Sequence, residues 1–367
     1  MKAICDRAAL ADALNLVSGV VLSRTPKPVL LNVKVTVSKG VLTLAATDLE
    51  VALHLAVNQV EASEDGAALL PASQFSSIVR ESSDPTLTLE TDKEAAHIRG
   101  ADSHFTIFAQ PVDDFPPVEP FSGEPDYEIN AAQLRSLIER TTFATARETS
   151  RYAINGVLAE RDGKKLVMVA TDGRRLAWAR GACTSASKKD AASSIIPTKA
   201  LLLLGRLLDD PNESVKVKLS GNQAHFGTER ATLTSNLVEG NFPPYKDVIP
   251  KDQDRKATFD TALLASGVRR AALLTNEESK GVRFAFNSEK LVLSSRAPEM
   301  GESEVNVPAA GYSGDPIEIG FNPQFITDVL KVIDTDEVNL ELKAPNKPGI
   351  LRAGPDFQYV VMPVSLG

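Results

Sequence analysis

The chain has 367 residues, 43% hydrophobic and 24% charged, with a formal charge of −8 at neutral pH, an ordinary globular composition long enough for two or three domains. The acidic balance excludes a protein that grips nucleic acid with its whole surface, since phosphate binding needs Lys and Arg; positive charge gathered on one wall stays open. Apolar runs such as Ala200–Leu204 fall far short of the roughly 18 to 20 residues of a membrane span. Asp6, Arg7 and Asp12 break up what would be the apolar part of an export signal, so a cytoplasmic location and no membrane partner are expected.

In chain order, Asp6-Arg-Ala-Ala-Leu10 opens the first helix, with an N-cap residue four positions before a leucine and apolar residues following at Leu14, Val17 and Val21. Strand-like runs Val29–Val37 and Val41–Ala46 follow, joined by a Lys39-Gly40 turn. A second helix starts at Leu70-Pro71, where proline at the first helical position suits its fixed φ and missing N–H. The unit closes on His104-FTIFAQPVDDFPPV. The same order then recurs. Helix starts stand at Asn130–Leu134 and Ile196-Pro197, strand-like runs at Ala153–Glu160 and Lys165–Ala170 about Asp162-Gly163, and the unit closes at Phe242-Pro-Pro. A third round has Asp260–Leu264, Val282–Asn287, Lys290–Ser294 and Asn322-Pro323, ending on Gln358-YVVMPVSLG.

A fixed period of about 124 residues means one domain plan written three times. Thr171-Asp172 in MVATDGRRLAW is matched by Thr47-Asp48 in LTLAATDLEVALHL, and Ser295-Arg296 in LVLSSRAPEM is read at the same place in the third copy. Prolines at the junctions interrupt helix and strand alike, which sets domains at 1–123, 124–250 and 251–367. Two helices and many short strands per unit predict an α+β fold with helices gathered on one face of antiparallel sheets.

Cations follow the helices. Arg7, Arg135, Arg140, Arg147, Arg269 and Arg270 accompany the first helices, and Arg80, Lys199, Arg206 and Lys331 the second ones, while Glu139, Asp209, Asp210 and Asp328 share those elements. Cys5 and Cys183 form no Cys-x-x-Cys pattern and read as reduced, unreactive thiols. His54, His97, His104 and His225 show no metal-ligand spacing, so neither a zinc site nor any cofactor is expected.

These segments, with Gly240-Asn-Phe-Pro-Pro-Tyr245, Lys280-Gly-Val-Arg283, Ile319-Gly-Phe-Asn322 and Tyr359-Val-Val-Met-Pro363, resemble the bacterial sliding clamp, the β subunit of DNA polymerase III, from Met1 to Leu366. The resemblance implies three clamp domains per chain, helices on the inner face, sheets outside, and a head-to-tail homodimeric ring around duplex DNA without sequence preference. It also implies a non-catalytic processivity role, with the replicative polymerase α subunit, a clamp loader and repair proteins as partners. Carried over by position, a partner-peptide pocket comprises Ile154, Thr171, Gly173, Arg174, Arg175, Leu176, Pro243, Asp247, Val248, Val360, Val361, Met362, Pro363 and Val364. DNA contacts are implied for Arg24, Arg151 and Tyr152, joined by the helix cations Arg80, Arg140, Lys199 and Arg206; the dimer contact is implied for Phe105 and Ile107 against Leu273 and Leu274. Arg174, Asp247 and Ser365 depart from the family pattern, which has His, Arg and a basic residue there.

An enzyme reading would pair Asp48 with Asp172 for metal-assisted nuclease chemistry, but equivalent positions in two repeats belong to separate domains, and both residues fit turn caps. No Walker A, Gly-x-Ser-x-Gly or zinc motif occurs. The remaining alternative is a repeat-built interaction scaffold that does not encircle DNA.

Overall fold

The computed structural model describes residues 1–92, 95–108, 110–146, 152–185, 191–275, 281–287 and 290–366. Arg147, Arg151, Lys280 and Gly367 lie outside the described residues. Helices among the described residues are α1 Arg7–Ser18, α2 Ala72–Glu81, α3 Ala131–Thr142, α4 Thr198–Leu207, α5 Thr261–Ala271 and α6 Pro323–Leu330. The expected caps are present: Asp6, Asn130 and Asp260 accept hydrogen bonds from the N–H groups of Ala9, Gln133 and Leu263 at 2.8, 3.2 and 2.8 Å. Each satisfies an otherwise orphaned donor of the first turn. Pro323 occupies the first position of α6, whereas Pro71 and Pro197 end the preceding strands, one residue ahead of α2 and α4. Val29 belongs to a 3-10 turn, Pro28–Leu31, rather than to the strand expected there, because the Asn32 side-chain amide donates to the carbonyls of Pro28 and Val29 and closes it.

The helices bury one stripe each, Leu10, Leu14 and Val17 on α1 and Leu264, Val268 and Ala271 on α5, against core leucines and valines of the strands. Burial of each such side chain stabilises by about 1.5–3 kcal/mol.

Residue contacts divide the chain into two compact units, the first Met1–Leu134 with Cys183–Asp190 and Lys199–Leu237, the second Arg135–Ala182 with Ala191–Thr198 and Val238–Gly367. Strand pairing gives the reason, since the sheets run across the repeats. In the first unit a nine-stranded sheet runs Thr184–Ser185, Tyr127–Asn130, Ser214–Ser220, Gln223–Gly227, Ala231–Asn236, Val51–Ala56, Val41–Thr47, Asn32–Ser38, Gly66–Pro71. In the second unit the order is Ala191–Pro197, Gly156–Asp162, Lys165–Thr171, Arg175–Ala182, Phe357–Val361, Gly349–Arg352, Glu337–Leu342, Arg255–Asp260, Gly311–Ser313. The joins are Ala231–Asn236 on Val51–Ala56 and Phe357–Val361 on Arg175–Ala182.

A five-stranded sheet in the first unit, Val60–Glu64, Lys2–Asp6, Thr86–Thr91, Ala95–Arg99, His104–Phe108, ends on His104–Phe108. A four-stranded sheet in the second, Gly301–Pro308, Lys290–Ala297, Val282–Phe286, Ile317–Phe321, ends on Gly301–Pro308. These two edge strands are the repeat counterparts of strands that pair within the chain. The ladders also correct the third copy by one residue. Val37 opposite Leu42, Arg161 opposite Leu166 and Phe286 opposite Leu291 correspond, so Arg296, not Ser295, stands where Thr47 and Thr171 stand; a short apolar run does not specify register until its partner is known.

Candidate functional site

Thr171 ends a strand with its hydroxyl turned back on the chain: Oγ1 donates to the Arg175 carbonyl at 2.6 Å and accepts the Gly173 N–H at 3.1 Å. Asp172 Oδ1 accepts from the N–H groups of Arg174 and Arg175 at 2.9 and 3.1 Å. The turn needs a left-handed residue at its tip, which Gly173 supplies at φ +87°. In the first repeat Thr47 and Asp48 make the same bonds to the 49–51 segment, with Leu49 held at φ +77°. Both aspartates are therefore turn caps rather than a catalytic pair.

Arg175 ties this turn to its surroundings. Its Nε meets Asp172 Oδ2 at 2.9 Å, Nη1 meets Asp328 Oδ2 at 2.8 Å, and Nη2 donates to the Phe143 carbonyl at 2.8 Å. The guanidinium lies over the Phe325 ring, 4.5 Å from its centroid. Burial pulls the Arg175 pKa down, but the hydrogen bonds to Asp328 and Asp172 and the Tyr359 contact outweigh it and hold it above the usual value.

Beside the turn, Leu176 sits opposite Val360 and Arg175 opposite Val361, and the ladder continues through Met362 N–H to the Arg174 carbonyl at 2.9 Å. Leu176 and Val360 belong to a buried cluster with Ala153, Leu158, Val169, Ile195, Tyr245 and Ile350, against which Trp178, Phe242 and Ile249 pack. The Tyr245 hydroxyl donates to Glu160 Oε2 at 2.6 Å, and burial followed by the carboxylate pushes its pKa well above the usual phenol value. Over this floor Met362 and Val248 stay 40% and 47% exposed, with Gly173, Arg174 and Asp247 exposed and Pro243, Pro363 and Val364 half-buried. The result is an apolar surface with a mobile thioether and a polar rim, suited to a short peptide with an aliphatic or aromatic anchor. Val361, Ile154 and Arg175 lie behind that surface, with little or no exposure. Two measurable concavities lie elsewhere: about 510 Å³ beside Thr47–Ala52 and Pro116–Ser122, and about 600 Å³ along Arg283, Ser294–Arg296 and Glu302–Glu304. Sequence reasoning missed Asp328 and Phe325 as the partners of Arg175, since α6 reaches the turn only in three dimensions.

The proposed DNA contacts divide. Arg24, Arg80 and Arg206 are exposed, Arg206 donating to the Asn15 carbonyl at 3.1 Å. Tyr152 is 43% exposed, while Arg151 is outside the described residues. Arg140 is bound to Asp334 at 2.6 Å and lies over Phe357, and Lys199 is paired with Asp48. For the dimer set, Phe105 and Leu273 are 39% and 72% exposed, Ile107 is half-buried on the same edge strand, and Leu274 packs beside Gly301 at the start of the other edge strand.

Repeated units that share sheets across their junctions, with turn-capping carboxylates in the first two copies and no catalytic constellation at those turns, define a repeat-built, non-catalytic protein. Family models for the N-terminal, central and C-terminal domains of the DNA polymerase III beta subunit match residues 1–119, 128–244 and 246–365. The beta sliding clamps of Pseudomonas putida and Escherichia coli K12 are 36% and 33% identical to the chain, the first spanning 98% of it and 99% of the relative, the second 100% of both. Among solved structures, the Pseudomonas aeruginosa sliding clamp bound to griselimycin superposes with TM-score 0.93 at 35% identity over 100% of both chains. The Bacillus subtilis clamp gives 0.92 at 25% identity over 100% of this chain and 99% of that one. The chain belongs to the DNA polymerase III beta subunit family, the sliding clamps, which are non-catalytic processivity factors.

Proposed function

We propose that two copies of this chain close head to tail into a ring around duplex DNA, holding it by topology and tethering polymerase, clamp loader and repair proteins through the Thr171–Leu176 and Val360–Val364 face. The observation that carries the reading is the pair of unsatisfied edges. His104–Phe108 is the counterpart of Ala231–Asn236 and Phe357–Val361, and Gly301–Pro308 is the counterpart of Val51–Ala56 and Arg175–Ala182, strands that pair within the chain. Exposed edges are templates for another chain, and a heterologous contact repeated twice closes if the rotation permits. Phe105 and Ile107 on one edge would then meet Leu273 and Leu274 beside the other.

In this reading the domains are 1–123, 124–250 and 251–367. Phosphate contact falls to Arg24, Arg80, Arg206, Arg151 and Tyr152, while Arg140 and Lys199 act mainly through the field they add. Weak, sequence-blind contacts favour sliding over fixed binding. No described helix is long and apolar enough to cross a membrane, in keeping with work at replicating DNA in the cytoplasm.

The experiment is topological. The protein is loaded onto nicked circular DNA with an active loader and ATP, washed at raised salt, and the circle is cut once. Retention before cutting and loss after it supports the ring; equal retention refutes it, and no loading favours a scaffold that does not encircle DNA.

A further inference from the structure

We infer that the seam between subunits carries a divalent transition-metal site, ligated by His97 and His104 of one subunit and by Glu304 of the partner subunit. The inference rests on the head-to-tail closure proposed above. Within one chain the described residues hold no group of three metal-ligating side chains, as a site divided between two chains requires.

The imidazole pair is already spaced for a metal. His97 lies on Ala95–Arg99 opposite Thr106, and His104 opposite Arg99, so the two histidines are diagonal neighbours across the ladder. His97 Nδ1 is 3.2 Å from His104 Nε2. Two imidazole nitrogens on a tetrahedral zinc, at roughly 2.0–2.1 Å each, stand about 3.3–3.4 Å apart. Behind His97, its Nε2 meets Asp92 Oδ2 at 3.0 Å. That bond places the proton on Nε2 and leaves a lone pair on Nδ1, the carboxylate–histidine arrangement that orients and strengthens a metal ligand. Without metal, two groups stand within donating distance of that lone pair, His104 Nε2 at 3.2 Å and the Thr106 hydroxyl at 3.3 Å. Metal entry at His104 Nε2 requires that ring to carry its single proton on Nδ1 instead, a tautomer exchange through solvent with no net proton lost, and a tilt of His104, whose ring is exposed.

Strand register supplies the third ligand. Ala3, Tyr127 and Ala257 stand three residues before the helix caps, and their ladders run through Leu89, Val217 and Leu340 to Ile98, Phe226 and Leu351, then to Phe105, Leu233 and Tyr359. His104 therefore corresponds to Thr232 and Gln358. On the other side, Leu55, Ala179 and Val305 lie opposite the equivalent Leu44, Met168 and Leu293, so His54, Trp178 and Glu304 correspond. Within the chain Thr232 pairs with His54 and Gln358 with Trp178. The same register across the seam puts His104 opposite Glu304 of the partner subunit. Directly opposed residues share a face, and Ser303 points its hydroxyl inward at the Ala271 carbonyl of α5, so Glu304 faces outward. Glu304 is exposed and makes no ion pair among the described residues. Two imidazoles, one carboxylate and a water suit a borderline ion such as zinc or cobalt.

The test is sedimentation of the full-length protein across the dimer dissociation range, with chelator and with added Zn(II), and Co(II) absorption as the spectroscopic probe. Expected are one metal per seam and a dimer dissociation constant at least tenfold lower with metal, about 1.4 kcal/mol at 25 °C. Asp92→Asn should weaken metal binding by about 10–100-fold while sparing the metal-free dimer. His104→Ala and Glu304→Ala should each abolish the cobalt spectrum. Mixing these two variants in equal amounts should restore about a quarter of it, since reassortment makes half of the dimers heterodimers and each heterodimer rebuilds one of its two seams. A metal-insensitive dimer without a saturable spectrum overturns the site and leaves the ring intact, and so does a spectrum that survives Glu304→Ala. Absence of any dimer, with or without metal, instead overturns the closure on which the site depends.

Discussion

Replacing Arg175 by methionine keeps most of the side-chain volume and removes the charge that joins the docking turn to α6. The three side chains are 11% exposed for Arg175, 19% for Asp172 and 18% for Asp328, so the loss resembles the breaking of a buried pair, about 3–5 kcal/mol. The carboxylates are not stranded, however. Asp172 keeps the N–H groups of Arg174 and of residue 175, and Asp328 keeps Gln324 Nε2 at 2.6 Å and Lys331 Nζ at 3.7 Å. That reduces the cost to about 2–3 kcal/mol, to which loss of the cation over Phe325 adds about 0.5–1 kcal/mol. The assay is urea unfolding followed by the fluorescence of Trp178, the single tryptophan, which packs on the cluster under the turn. Asp328→Asn alone and combined with Arg175→Met completes a double-mutant cycle with an expected coupling of about 1–2 kcal/mol. A loss under about 1 kcal/mol with no coupling would mean that Asp172 and the backbone hold the turn alone, and the account of Arg175 would be wrong.

The tips of the two turns should respond oppositely. A Cβ at Gly173 meets nothing within 4 Å, so Gly173→Ala costs only its left-handed backbone, about 1 kcal/mol, and should weaken peptide capture in a fluorescence-anisotropy titration. Leu49→Gly relieves the same strain at φ +77°; set against the entropy glycine adds to the unfolded chain, it should be neutral or raise stability by about 0.5 kcal/mol in thermal melts. Burial lowers the pKa values of His54 and His225, with Glu119 opposing the shift at His54 and Lys218 adding to it at His225. The unfolded chain then binds protons that the folded chain resists, so stability is full above the unfolded histidine pKa of about 6.5 and is lost as pH falls through the lowered folded values. Melting temperatures between pH 7.5 and 5 check this, and His225→Gln should flatten the slope. Burial pushes the Cys5 thiol up to about 12, so alkylation by iodoacetamide at pH 8 should wait for unfolding; prompt labelling of the native protein would contradict the burial.

Features with a short sequence span were open to reading along the chain. The caps Asp6, Asn130 and Asp260 act within three residues of themselves, and the turn chemistry of Thr171, Asp172 and Gly173 closes within five, so residue type alone dictates them. The period follows for the same reason: each copy must bury a helix stripe on its own strands. What lay between distant segments was beyond a one-dimensional reading. Spacing along the chain shows no metal-ligand pattern among the histidines and says nothing of which rings meet; pairing of two adjacent strands sets ring nitrogens of His97 and His104 3.2 Å apart. Arg140 looked like one more helix cation until Asp334 and Phe357 were seen to hold it. Likewise, no pattern in residues 104–108 or 301–308 distinguishes an unpaired strand from a paired one, because a strand's hydrogen bonds belong to its neighbour and the neighbour is chosen by the assembled sheets.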